Sequence, residues 1–180
     1  MIAKKSPLIF RTFLLLQLEY ALTPKPPESK SKKKESGSLE GYPIDIDFSI
    51  KKGSDSEDII FVKVGVNKSS NTLPGYVLFA EGVGVFEFDI TSQLDHQQKT
   101  ALLHFSGLSI CINSLRSILA NATSNSPMEK YVLPSIDVNQ LLNDKSTLQK
   151  GNNKNTRIKN PATRLEKANK SNRLKINKKD

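Results

Sequence analysis

The chain has 180 residues, a formal net charge of +9 at pH 7 and a sequence pI near 9.6. That length holds one ordinary domain plus tails. The charge is confined: residues 150–180 carry eleven Lys/Arg and two Asp/Glu (net +9), residues 1–149 carry sixteen of each, and the single Cys111 excludes an intramolecular disulfide framework.

Lys4 and Lys5 precede Leu8-Ile9-Phe10 and Phe13-Leu14-Leu15-Leu16, the order of a signal segment. Arg11 interrupts the run, and Gln17, Glu19 and Tyr20 follow at once. A first β-strand from about Leu8 to Leu22, long and bulged, is the preferred reading, with a vestigial signal segment as the alternative. No stretch is expected to reach the roughly 20 apolar residues of a membrane span.

Residues 23–41, with Pro24, Pro26, Pro27 and the Lys32-Lys33-Lys34 run, predict a mobile crossover connection. The lysine triplet reads as a solvated loop before it reads as a phosphate contact. From Tyr42 to Lys51, Ile44, Ile46, Phe48 and Ile50 alternate with Asp45, Asp47, Ser49 and Lys51, a strand with one wet face. Ile59 to Asn67 is β-branched and nearly continuous, as an inner strand would be. Pro74-Gly75 signals a hairpin, and Tyr76 to Ile90 is a fourth strand in which Gly82 and Gly84 predict a bulge or bend.

Gln93 to Phe105 predicts a helix that kinks at Ser106-Gly107 and continues. Leu108, Ile112, Leu115 and Leu119 then recur at helical spacing, widened by Cys111 and Ile118. Asn121 and Ser124-Asn125-Ser126-Pro127 stop it. An extended return runs through Tyr131 and Leu133 to Pro134. Asp137, with Gln140 three residues on, predicts a capped short helix whose apolar side is Leu141-Leu142. Strands first and helices last imply an α+β domain over residues 1–145: a four-stranded antiparallel sheet with a long helix and a short C-terminal helix. Residues 146–180 predict a disordered basic tail.

No reactive constellation stands out. His96 and His104 are eight apart and Cys111 lies seven beyond, which is no metal-ligand spacing. No serine sits in a nucleophile elbow, and no GK[ST] follows the 82–84 glycines. Asp45 and Asp47 make a strand face soluble rather than forming a catalytic pair. The expectation is a protein that is not an enzyme, binds no cofactor or metal and works through apolar surface.

Several of these residues carry a resemblance. Arg116, Ile118, Leu119, Leu133, Pro134, Ile136, Asp137 and Val138, with Gly-Val-Phe-Glu-Phe at 84–88, stand as in the export chaperone SecB and SecB-like proteins. The chain resembles that family over roughly residues 8–144. It departs from it in a longer, lysine-rich 23–41 connection and a strongly basic end.

The resemblance implies a cytoplasmic, ATP-independent holdase for unfolded or pre-secretory polypeptides, acting in protein export or beside a toxin–antitoxin pair. It implies a homotetramer built as a dimer of dimers, with Leu108, Ile112, Leu115 and Leu119 at the interface. Candidate client-groove residues are Ile44, Ile46, Phe48, Ile50, Tyr131, Leu133, Leu141 and Leu142. The partners expected are unfolded clients and either SecA, through Asp45, Asp47, Asp55, Glu57 and Asp58, or an antitoxin. The alternative is a basic-tailed adaptor that binds nucleic acid, the ribosome or another anionic surface on a non-catalytic scaffold.

Overall fold

The computed structural model describes residues 2–23, 41–54, 56–70 and 72–155, with the backbone alone for 149–155. The chain divides into two units, Met1–Leu141 and Leu142–Asp180. Most of the 23–41 connection and the end of the predicted tail lie outside the described residues.

The first unit is α+β. Its strands are β1 (Leu8–Thr23), β2 (Ile44–Lys52), β3 (Asp58–Val66) and β4 (Gly75–Phe88), all antiparallel in the order β1-β4-β3-β2. β1 and β2 are therefore the two edges. The alternation read in the sequence sets the faces. Ile44, Ile46, Phe48 and Ile50 stand opposite Val66, Val64, Val62 and Ile60, while Asp45 and Asp47 turn to the other face opposite Gly65 and Lys63. The inner residues of β3 and β4, from Ile60 to Val66 and from Tyr76 to Ala80, are buried on that first face.

A long helical run covers this face. It comprises α1 (His96–Leu102), a π-helical turn (Leu103–Gly107) and α2 (Leu108–Ala122). Asp95 opens it with a capping box: its carboxylate accepts from Gln98 N at 2.8 Å, and Gln98 Oε1 accepts from Asp95 N at 3.1 Å. The irregularity expected at Ser106-Gly107 is the π turn, which inserts a residue without ending the helix. The whole run His96–Ala122 is 27 residues and is long and apolar enough to cross a membrane by length and composition alone. This corrects the expectation that no stretch reaches that length. The reason for its apolarity lies in the fold: Leu108, Cys111, Ile112, Leu115 and Leu119 are buried against the sheet.

Two glycines allow that packing. A Cβ on Gly107 would meet Ile60 Cδ1 at 2.7 Å, and one on Gly84 would collide with Cys111 Sγ. This corrects the reading of Gly82 and Gly84 as a bulge. β4 pairs continuously through both; the register shifts lie in β1, at Phe10/Thr12 and Leu15/Gln17. Gly82 instead makes room for the Phe13 ring.

After Thr123 the chain returns in extended form to Asp137, which accepts from Gln140 N at 3.1 Å and so caps α3 (Val138–Asn155). With 18 residues α3 is not the short helix expected. It continues past the boundary at 145, because residues 143–155 hold neither proline nor a β-branched run to stop it.

Candidate polypeptide-binding surface

α2 packs chiefly on β4 and β3. α2 and the π-helical turn touch β1 at a few points, and most of the flank that β1 forms lies beyond that cover. Register places Phe10, Phe13, Leu15, Leu18, Tyr20 and Leu22 on the helix-bearing face, opposite Phe86, Gly84, Gly82, Ala80, Leu78 and Tyr76. Leu18, Tyr20 and Leu22 are each 40% exposed, Leu15 44% and the bulged Leu16 55%. Isolated exposed leucines are ordinary; a contiguous row on one strand marks a contact surface.

The end of this row is built by tyrosines. All four tyrosines of the chain form one connected cluster. Ring centroids are 5.9 Å apart for Tyr20–Tyr76, 6.4 Å for Tyr76–Tyr131 and 6.1 Å for the stacked Tyr42–Tyr131. Their hydroxyls tie the return segment and the β3–β4 loop to the sheet. Tyr76 donates to Glu129 O at 2.8 Å, Tyr42 donates to Pro74 O at 3.0 Å, and Tyr20 bonds Ser126 Oγ at 2.8 Å. The Tyr131 hydroxyl is the exception: it is buried with no hydrogen-bond partner among the described residues, and burial pushes its pKa up to about 12, with Tyr42 adding to the rise.

Two further groups hold the return segment. The Thr123 hydroxyl donates to Leu119 O at 2.9 Å and accepts from Tyr131 N at 2.9 Å. The Arg116 guanidinium donates to Leu133 O at 2.7 Å and Pro134 O at 2.9 Å, braced by the Asn113 side chain. The loop ahead of the cluster depends on Asn67. Its φ is +58°, and its side chain donates to Leu73 O and Tyr76 O and accepts from Leu73 N.

The predicted groove residues separate into kinds. Ile44, Ile46 and Ile50 are half-buried on the helix-bearing face of β2, and Phe48 among them is buried. Tyr131 and Leu133 are core residues, 1% exposed, so they support a surface rather than form one. Leu141 is half-buried at the end of the first unit; Leu142, half-buried, belongs to the second. Leu108, Ile112, Leu115 and Leu119, expected at an oligomer interface, are buried within the single chain as the helix stripe that its own sheet covers. The β1 row was missed as a surface. Its signal was present in the unbroken Phe13-Leu14-Leu15-Leu16 run, which lacks the polar alternation of a half-wet strand.

Charge and thiol chemistry are subdued. Lys63 lies 3.3 Å from Asp47, and Lys52 covers the buried Asp58 at 2.7 Å, so these two acids are already paired within the chain. Asp55 lies outside the described residues. Cys111 is fully buried, and burial raises its thiol to about 12, which makes it an inert core group. A cavity of about 580 Å³ on the far face of the sheet is lined by Ile44, Asp45, Lys63, Lys68, Phe79 and Glu81 among others. Lys68 in it is engaged by Glu19 at 2.7 Å and lies over the Phe79 ring.

Comparison with known proteins gives structural neighbours only. No family model matches the chain, and no curated protein matches it. A SecB-like chaperone of Mycobacterium tuberculosis, solved in complex with a peptide from an antitoxin, is similar at 14% identity and a TM-score of 0.48, over 73% of this chain and 91% of that one. A protein of unknown function from Streptococcus agalactiae is similar at 9% identity and a TM-score of 0.33, over 71% of this chain and 97% of that one.

Proposed function

We propose that this protein is an ATP-independent holdase that takes hold of extended, unfolded polypeptide segments on the uncovered flank of β1. The observation that carries the reading is the row Leu15, Leu18, Tyr20 and Leu22, on the helix-bearing face of the sheet and left 40–44% exposed. Such a row accepts apolar side chains without selecting a sequence, as a chaperone for many clients requires. Covering what is left exposed of four large apolar side chains contributes about 1 kcal/mol each, on the order of 4 kcal/mol together. Before ordering costs this corresponds to a dissociation constant near ~1 mM. Weak, broad capture of this kind gains strength through several rows acting at once, so the working form in this reading is a homo-oligomer, with the tetramer that the family resemblance implies as its expected size.

An antitoxin segment or a pre-secretory chain would enter as one more extended client. Delivery to SecA is the less supported extension, because Asp47 and Asp58 are occupied by lysines of the same chain. A cytoplasmic location suits a protein whose one thiol is buried.

The test is light scattering from an aggregating unfolded protein with the full chain added at stoichiometric amounts and no ATP. Suppression that persists at moderate salt, and that Leu18→Asp abolishes, supports the holdase. The net +9 of residues 150–180 favours a second reading, an adaptor for nucleic acid or the ribosome. That reading takes over if aggregation is not suppressed while single-stranded RNA binds with steep salt dependence.

A further inference from the structure

The helix-bearing row of β1 is apolar along its length except at one point. Phe10, Phe13, Leu15, Leu18 and Leu22 stand opposite Phe86, Gly84, Gly82, Ala80 and Tyr76, and none of these carries a charge. Tyr20 lies between Leu18 and Leu22 on the same face, and its hydroxyl bonds Ser126 Oγ at 2.8 Å. Both partners are held in place. Ser126 N donates to Thr123 O at 3.2 Å in the turn that follows α2, and Ser126 Oγ accepts from Met128 N at 3.4 Å. The Tyr20 ring is set by its tilt against Tyr76, with centroids 5.9 Å apart.

The two hydroxyls bring two protons. One is spent in the bond between them, whichever oxygen donates it. The other has no acceptor among the described residues. Water serves it while the row is open. A client that covers Tyr20 removes that water, and the donor then needs an acceptor from the client. We propose that Tyr20 and Ser126 form a polar clip that donates one hydrogen bond to a main-chain carbonyl of the bound polypeptide and so selects extended segments. This rests on the reading of the β1 flank as the polypeptide-binding surface.

The chemistry of the clip names the class of ligand. The apolar side chains that the row accepts bring no acceptor of their own, whereas the main chain brings one at every residue. In an extended segment the side chains alternate between two faces and the carbonyls are open along the flanks. Residues two apart can then lie on Leu18 and Leu22 while a carbonyl reaches the clip. In a helix each interior carbonyl already accepts from its own chain. A helical segment therefore leaves the donor unsatisfied, which weakens binding about tenfold. The clip reads the carbonyl alone, so a proline in the client, which lacks the N–H but keeps its C=O, is accepted.

Hydroxyl deletion in the full chain tests the clip. The probe is a short fluorescein-labelled, unstructured peptide in which leucine alternates with serine, and its binding is followed by anisotropy. Tyr20→Phe leaves the Ser126 hydroxyl to donate, and Ser126→Ala leaves that of Tyr20. Each single variant therefore binds the probe within about threefold of the wild type, and the double variant binds about tenfold more weakly. Urea midpoints follow the opposite pattern. The bond within the chain is lost in either single variant, and the double variant loses no more. Affinities that track the urea midpoints, alike in single and double variants, overturn the clip, and so does a double variant that binds as tightly as the wild type. A helix-stapled version of the probe gives a second check. The preference of the wild type for the linear peptide narrows in the double variant; an unchanged preference overturns the selection of extended segments. A wild type that neither binds the probe nor suppresses aggregation overturns the proposed function itself. Binding that Leu18→Asp abolishes and the double variant keeps in full removes the clip and leaves the holdase standing.

Discussion

Arg116 Nε donates to the carbonyl of Leu133 at 2.7 Å, and its Nη2 donates to Pro134 O at 2.9 Å. One side chain of α2 thereby fixes the extended return segment at its far end. Leu133 follows as a core residue because the backbone on either side of its carbonyl is held.

Arg116→Ala therefore removes two charge-assisted bonds from a segment with no strand partner, a loss of about 1.5–3 kcal/mol in urea unfolding. Arg116→Lys recovers little of it. A single ammonium cannot reproduce the fork that reaches Leu133, Pro134 and Asn113 together. Equal stability of the wild type and the lysine variant would count against the clamp.

Thr123 fixes the near end of the same segment. Thr123→Val keeps the volume but leaves the Tyr131 amide hydrogen buried without its acceptor, costing about 1–3 kcal/mol. Thr123→Ser restores the hydroxyl and most of the stability. If serine and valine destabilise equally, the methyl group matters rather than the hydrogen bond.

The strands and the long helix were legible in the sequence because their cues are local. Ile44, Ile46, Phe48 and Ile50 alternate visibly, and Leu108, Ile112, Leu115 and Leu119 repeat with the helical period. Local cues do not say which element lies on which. The helix stripe does not by itself name what it packs on, because its partner, the inner face of β3 and β4, is distant in sequence. The tyrosine cluster was invisible for the same reason: Tyr20, Tyr42, Tyr76 and Tyr131 meet only after β1 crosses to pair with β4. Residues 84 and 111 show the limit most clearly. A glycine inside a strand suggests a bulge until the sulfur that needs its space is located.

Gly84→Ala forces a methyl group onto Cys111 Sγ and destabilises by about 1–3 kcal/mol. Cys111→Ala alone removes a buried sulfur and destabilises as well. Together they offset each other, so the double variant is more stable than the sum of the single losses predicts. Strict additivity in a double-mutant cycle would show that the two positions do not share this space.

The alkaline limb of stability follows from the same interior. Burial raises the Cys111 thiol from an ordinary 9.0 to about 12, and Tyr131 from 10.0 to about 12. Both groups are neutral when protonated, so between these values the folded chain keeps protons that the unfolded chain releases. The stability due to both groups is complete below pH 9, falls as pH rises through 9 and 10, and levels off near 12. Urea midpoints measured at pH 8 and pH 10.5 should therefore decline, and Cys111→Ala and Tyr131→Phe should each flatten part of that decline. Tyr131→Phe carries a second expectation at pH 8. The hydroxyl it deletes is buried without a hydrogen-bond partner among the described residues, so its loss relieves an uncompensated desolvation and leaves the protein as stable as the wild type or more so. A clear loss of stability at pH 8 would mean that the Tyr131 hydroxyl is satisfied in solution.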